Sequence, residues 1–268
     1  MKKIIAVLLV AVLAIAAVAC TTKTPEDSKP ASTSNVPGTT EAAPTTTEQP
    51  GEEVTVLSHS EFYALEDGTE NSTIEAYIQA KAYSSQYGNV ALFLADDDGG
   101  YYVYRMPCTD EDDAKLVIGQ KVRITGTKTS WSGLIEFAEK TAKYEILEGT
   151  KVYDAVDITN ETELEKYMAM KVCVKNAEIV ASTIDGDETE YAFLYKSNGS
   201  GDEGDDIYFK VKIGENVFTY VVETDLADKD SAAYKAIQGI NIGDKVDLEG
   251  FLYWYNGAQL QVTSVTVK

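Results

Sequence analysis

The chain has 268 residues, and its 44 Asp and Glu against 23 Lys and Arg give a formal net charge of −21 at neutral pH. A chain this acidic is repelled by nucleic acid and by anionic lipid, so attachment to either through a basic patch is not expected. One histidine and three cysteines offer no disulfide framework and no evident Ser-His-Asp or Cys-His constellation.

Residues 1–20 read MKKIIAVLLVAVLAIAAVAC. Two lysines precede an apolar run too short for a comfortable permanent span, and small residues lead into Cys20, which is the architecture of an export signal. The stretch AVAC resembles the lipobox of bacterial lipoproteins, with Ala17 where that pattern prefers Leu. The resemblance implies that Cys20 is lipidated and becomes the mature N-terminus. Residues 21–52 are Thr, Ser, Pro and Glu with almost nothing apolar. Such a segment cannot bury enough surface to order itself and is expected to be a disordered tether. The expected location is the outer face of the cell membrane, held by the lipid.

From residue 53 the composition changes. Short runs of Val, Ile, Tyr and Thr alternate with polar residues and are separated by Gly, Asn and Asp, an all-β signature with a few short helices. Ser58 with Glu61 predicts a capped helix before the first strand, and Thr159 with Thr162 or Glu163 a second before the later strands. The chain also repeats itself. IGQKVRITGTKTSWSG (118–133) aligns without gaps on IGDKVDLEGFLYWYNG (242–257). Each half reads strand–strand–helix–strand–strand, led by a long strand at 72–83 and at 170–182. That order, with the Gly-x-Lys-Val strand, resembles the OB-fold, and tandem domains of this type are found in exported bacterial lipoproteins. The resemblance implies two tandem five-stranded OB-fold-like barrels after the signal and tether, at 53–149 and 150–268.

Period-two reading of the repeated strand places Val122, Ile124, Val246 and Leu248 inside and Lys121, Arg123, Asp247 and Glu249 outside. The same phase puts Phe251, Tyr253 and Tyr255 on the outer side. Trp131 and Tyr255 occupy the same repeat position, each just before a tight turn, Ser132-Gly133 and Asn256-Gly257. In an OB-fold that turn borders the binding face. Two roles suit these rings. They stabilise the hairpins by packing, or they form a platform for a ligand, with Lys128 and Arg123 as neighbouring polar contacts.

The acidic stretches at 95–100 and 182–206 lack EF-hand spacing, and solvated loops account for them. Cys108 and Cys173 read as small, mostly buried residues. The expectation is therefore a non-enzymatic, monomeric, lipid-anchored protein without cofactor or metal, binding a glycan or protein ligand, with nucleic acid an unlikely partner. The alternatives are single-stranded nucleic-acid binding through the first domain, using Lys121, Arg123, Lys128 and Trp131, and a non-catalytic place in a larger surface complex. Against the former, residues 53–150 carry 8 Lys and Arg and 17 Asp and Glu.

Overall fold

Alternating apolar and polar residues mark several strands of the computed structural model, which describes residues 54–268, and near-continuous apolar runs mark others. The expectations for the signal, for Cys20 and for the tether up to residue 52 lie outside the described residues. Helix α1 (His59–Ala64) comes first, closed at its start by the expected capping box: Ser58 accepts from the Glu61 amide and the Glu61 carboxylate from the Ser58 amide. Strands β1 (Ser72–Ser84), β2 (Asn89–Ala95) and β3 (Gly100–Pro107) follow, then α2 (Asp110–Lys115), β4 (Gln120–Gly126), β5 (Lys128–Trp131), β6 (Leu134–Phe137) and β7 (Lys143–Thr150). The second series is β8 (Val156–Asp157), a 3₁₀ turn at Leu164–Tyr167, β9 (Lys171–Val180), β10 (Leu194–Tyr195), β11 (Ile207–Ile213), β12 (Asn216–Val222), α3 (Ala232–Gln238), β13 (Lys245–Trp254) and β14 (Ala258–Val267).

Two seven-stranded sheets result, ordered β5-β6-β3-β2-β1-β4-β7 and β10-β11-β12-β14-β13-β9-β8. A β11–β9 pairing closes the second into a five-stranded barrel. Its third and fifth strands, β12 and β14, pair in parallel, and so do β3 and β6 at the matching place in the first sheet. This parallel pair, with the first strand between the second and fourth, is OB topology. Among the described residues no helix is long and apolar enough to cross a membrane.

The repeat has a physical cause at its glycines. Ser132 and Gly133 adopt positive φ at both positions of a two-residue hairpin turn, and Asn256 and Gly257 do so at the last two positions of the three-residue turn between Trp254 and Ala258. Gly250 sits at a bulge in β13, where a Cβ would collide with the backbone carbonyl of Gln261. The strand phase is as expected, with Val122, Ile124, Val246 and Leu248 buried in the two cores. Phe62 of α1 caps the first core by stacking on Phe137, ring centroids 4.6 Å apart. In the second core Tyr234 and Ile237 of α3 serve the same end. The second lead-in helix is reduced to the 3₁₀ turn. Thr159 caps nothing there. Its hydroxyl donates to Asp157 at 2.6 Å and accepts from the Lys175 amide. Cys108 is buried and Cys173 half-buried, both free thiols.

A third apolar cluster joins the sheets. Phe93 of β2 stacks on Phe251 of β13 at 4.7 Å, and Tyr102 of β3 meets Tyr253 edge-on at 5.5 Å. The Met168–Met170 segment is wedged between them. The Ala169 amide donates to the Leu252 carbonyl and the Leu252 amide to the Met170 carbonyl. Buried Gln79 fixes the connecting chain, donating to the Lys151 carbonyl and accepting from the Tyr153 amide. Removing a buried Phe costs about 3–5 kcal/mol. Phe251→Ala should therefore lower unfolding stability in urea by an amount in that range, whereas loss below about 1 kcal/mol would show that the stack contributes little to stability.

Candidate ring platform and acidic cleft

The two hairpin tips meet. The Asn256 amide donates to the Ser132 carbonyl at 2.8 Å, and Gly133 bridges to Tyr255. The contact sets Trp131 against Tyr255, ring centroids 5.3 Å apart. Both rings stay open, Trp131 at 51% and Tyr255 at 50% exposure. The other two candidate rings do not join them at the surface: Phe251 and Tyr253 face out of their own barrel, as the phase implies, but the first sheet covers them.

The candidate cations are engaged elsewhere. Lys128 is buried, its ammonium 2.7 Å from Asp67. Arg123 is shared between Glu75 at 2.7 Å and Glu145 at 2.6 Å, and Lys121 also binds Glu75. The guanidinium and ammonium beside Glu75 hold its carboxyl below the usual range, the Lys121 hydrogen bond most strongly. The expected cationic strip is thus a chain of ion pairs along the sheet.

Two depressions flank Trp131. One, of about 700 Å³, is the face of β11 and β12 together with the β13–β14 turn, lined by Tyr208, Phe218, Thr219, Tyr255 and Gln259. Trp131 is lent to it by the first sheet, and Glu223 is its only charged lining residue. This is the second-and-third-strand face and fourth-to-fifth-strand loop that OB-folds use for oligonucleotides and oligosaccharides. The other is a cleft of about 650 Å³ whose rings include Phe93, Tyr102, Tyr104 and Tyr253. Its charged lining residues are Glu136, Glu139, Asp206, Glu223 and Asp225, with Arg105 the one cation. Arg105 lies over the Tyr104 ring and 3.9 Å from Glu139, at the rim.

Burial disfavours the charged form of a carboxyl. It raises both Glu136 and Glu223 to about 7, with Asp206 and Asp225 adding to the effect on Glu223. Neither carboxylate has a hydrogen-bond or ion-pair partner among the described residues. Neither residue was singled out from the sequence, where acids are too abundant to inform. The available signal was Glu136 inside the apolar run Leu134–Phe137. The acidic loops have structural work instead: Asp96 accepts from the Asp98 and Gly99 amides and the Tyr101 hydroxyl, and Asp206 from Thr224. His59 bonds the Gly100 carbonyl, and burial lowers its pKa.

No family model matches the sequence, and no curated protein matches it. Solved structures do. The p204 HINb domain is 10% identical, over 76% of this chain and 100% of that one, with a TM-score of 0.32. The Ifi202 HINa domain, in complex with 20 bp double-stranded DNA, is 15% identical over 74% and 96%, at 0.32. A replication protein A heterotrimer bound to single-stranded DNA is 10% identical over 77% and 51%, at 0.31. What those proteins bind is a property of those proteins. Nucleic acid, expected above to be an unlikely partner, is what the last two of these neighbours carry, and the expectation of a glycan or protein ligand is not kept. The physical flaw in it was to let net charge stand for the surface. Whole-chain charge averages over every face, and the ring platform carries one carboxylate.

The raised carboxyls predict a pH dependence. Their folded values of about 7 exceed the ordinary 4.5, so their contribution is fully present below 4.5 and is lost as pH rises through 7. Asp112 and Asp157, held near 2 by hydrogen bonds from Tyr144 and Lys175 respectively, act in the opposite sense only below 3.8, and His59, lowered by burial, opposes the two carboxyls below its ordinary 6.5 as one group against two. Urea midpoints should therefore fall between pH 4.5 and 7, and Glu136→Gln with Glu223→Gln should flatten that fall.

Proposed function

We propose that the protein is a binding module for single-stranded nucleic acid and that it holds bases by stacking on the Trp131–Tyr255 platform. The observation that carries this reading is the pair itself. Two rings equivalent in the repeat are brought together from different sheets and both left half exposed. Packing alone would have covered them, as it covers Phe251 and Tyr253. Stacking on an aromatic side chain contributes about 1–3 kcal/mol per base and tolerates any base, because each has a π-face. Tyr208 and Phe218 extend the surface, and Thr219, Ser197 and Gln259 offer hydrogen bonds to base edges. The place of this site is not the cationic strand of the first domain: it lies on the second sheet, with one ring lent by the first.

Nucleic-acid binding normally weakens steeply with salt because Lys and Arg displace counterions. Here Lys128, Arg123 and Lys121 are already neutralised by carboxylates, so phosphates face outward and gain nothing from them. In this reading each half, 53–149 and 150–268, is a domain, and the module binds without catalysing. Lone His59 is committed to a backbone carbonyl, and burial pushes the Cys108 thiol up to about 11. The lipid on Cys20 would display the platform outside the cell.

The test is binding of short single-stranded DNA, followed by fluorescence anisotropy across a salt series. Trp131→Ala and Tyr255→Ala should each weaken binding by roughly 5- to 150-fold, the range that stacking energies imply. Melting temperatures should hardly change. Affinity should be flat or rise with salt. A steep fall with salt, or full affinity in both variants, would remove the platform.

A further inference from the structure

The cleft on the other side of Trp131 contains polar groups that the fold does not use. Glu136 of β6 and Gln261 of β14 are each only 4% exposed, yet both line this cleft. Among the described residues neither side chain has a hydrogen-bond partner. They hold matching places, each on the strand that pairs in parallel with its sheet's third strand: Glu136 opposite Tyr102 and Gln261 opposite Val221. The Tyr102, Tyr104 and Tyr253 hydroxyls likewise donate no hydrogen bond to any described residue. Among the described residues no fully buried side-chain nitrogen or oxygen lacks a partner, so the polar atoms of Glu136 and Gln261 open into the cleft, where water or a ligand can complete them.

We propose that this cleft is a binding site for a small organic ammonium ion, a primary or secondary amine with N–H donors. Its unpaired groups are mainly acceptors: two carboxylates, an amide oxygen and phenol oxygens. Around them stand the faces of Tyr102, Tyr104 and Tyr253, and ring faces attract organic cations. Glu136 comes from the first sheet and Glu223 from the segment after β12, so the two carboxylates enter from different sheets. Two carboxylates in one cleft favour a diammonium ion over a monoammonium ion. Arg105 does not satisfy them, since it lies over Tyr104 at the rim with Glu139. At about 650 Å³ the cleft is of small-molecule size and far too large for a bare metal ion. Among the described residues no group of three or more His, Cys, Asp or Glu is arranged to hold a metal. The cleft shares Trp131, Glu223 and Tyr253 with the base-stacking platform but not Glu136, Gln261 or Tyr102, so Glu136→Gln tests it apart from that reading.

The pH response supports the geometry. Burial raises both carboxyls to about 7, so a bound ammonium must draw them into the ionised form and release protons. Glu139, Asp206, Asp225 and Arg105 face the same cleft. Of these Asp206 is held by Thr224, Glu139 by Arg105 and Lys140, and Asp225 is exposed to solvent, which leaves Glu136 and Glu223 as the groups that respond.

The test is isothermal titration of the intact protein with 1,4-diaminobutane, 1-aminobutane, butane-1,4-diol and magnesium chloride at pH 8 and pH 5. The expected result is saturable binding of the diamine at pH 8, weaker binding of the monoamine and none of the diol. Binding at pH 5 should be at least about tenfold weaker. Glu136→Gln and Glu223→Gln should each weaken the diamine at least about tenfold, the effect of losing a hydrogen bond to a charged group. Both variants remove a costly buried charge, so their melting temperatures at pH 8 should be unchanged or higher. Equal binding of diol and diamine, an equal response to magnesium, undiminished binding in both variants, or no saturable heat up to about 10 mM would each overturn the proposal.

Discussion

The stack of Phe93 on Phe251 is the contact on which the rest depends. It carries no chemistry, yet it sets the distance between the two sheets. With Tyr102 against Tyr253 and the Met168–Met170 wedge, it brings the hairpin of β5 and β6 to the hairpin of β13 and β14. Only then can Trp131 and Tyr255 touch, and only then does an acidic cleft bordered by Trp131 form between the sheets. Desolvation of the cleft's two carboxylates disfavours their charged form. The apolar area buried around them must offset that cost, and an interface built from four aromatic rings has the area to do so.

Charge follows the same division between the sheets. The positive side chains along β4 and at the start of β5 are consumed by Glu75, Glu145 and Asp67. Most of these pairs lie on partly exposed strands, where ion pairs contribute little to stability. Their consequence is functional, because they remove the lysines and arginine that would attract phosphate. What remains are two surfaces of different character around one tryptophan: a nearly neutral ring platform and an acidic aromatic cleft.

Much of the fold was legible in the sequence because its rules are local. Alternation and apolar runs marked the strands, and the glycines of the repeat marked the turns. The inward set Val122, Ile124, Val246 and Leu248 followed from period two alone. The second lead-in helix was misread because the Thr159 hydroxyl is engaged by Asp157 and Lys175, contacts invisible in a linear pattern. The site was legible only in part. Trp131 and Tyr255 stood out because the repeat preserves an aromatic there. Whether Phe251 and Tyr253 would be open or covered depended on the neighbouring sheet, a tertiary fact. Glu136 and Gln261 could not be found, since a buried carboxylate looks like any other Glu until its surroundings are known. Lys128 and Arg123 suggested a cationic strip for the same reason, their partners Asp67 and Glu75 being 61 and 48 residues away in sequence.

The most direct test of the base-stacking account uses the two tryptophans as internal reporters. Trp131 is half exposed on the platform, whereas Trp254 packs against Gly133 at the join between the sheets. Indole N–H resonances of ¹⁵N-labelled protein can be followed while a short single-stranded oligonucleotide is added. The account predicts a saturable shift of the Trp131 indole, a much smaller one for Trp254, and no change along Lys121, Arg123 and Lys128. Shifts confined to those three residues, or an unmoved Trp131 at saturation, would contradict it.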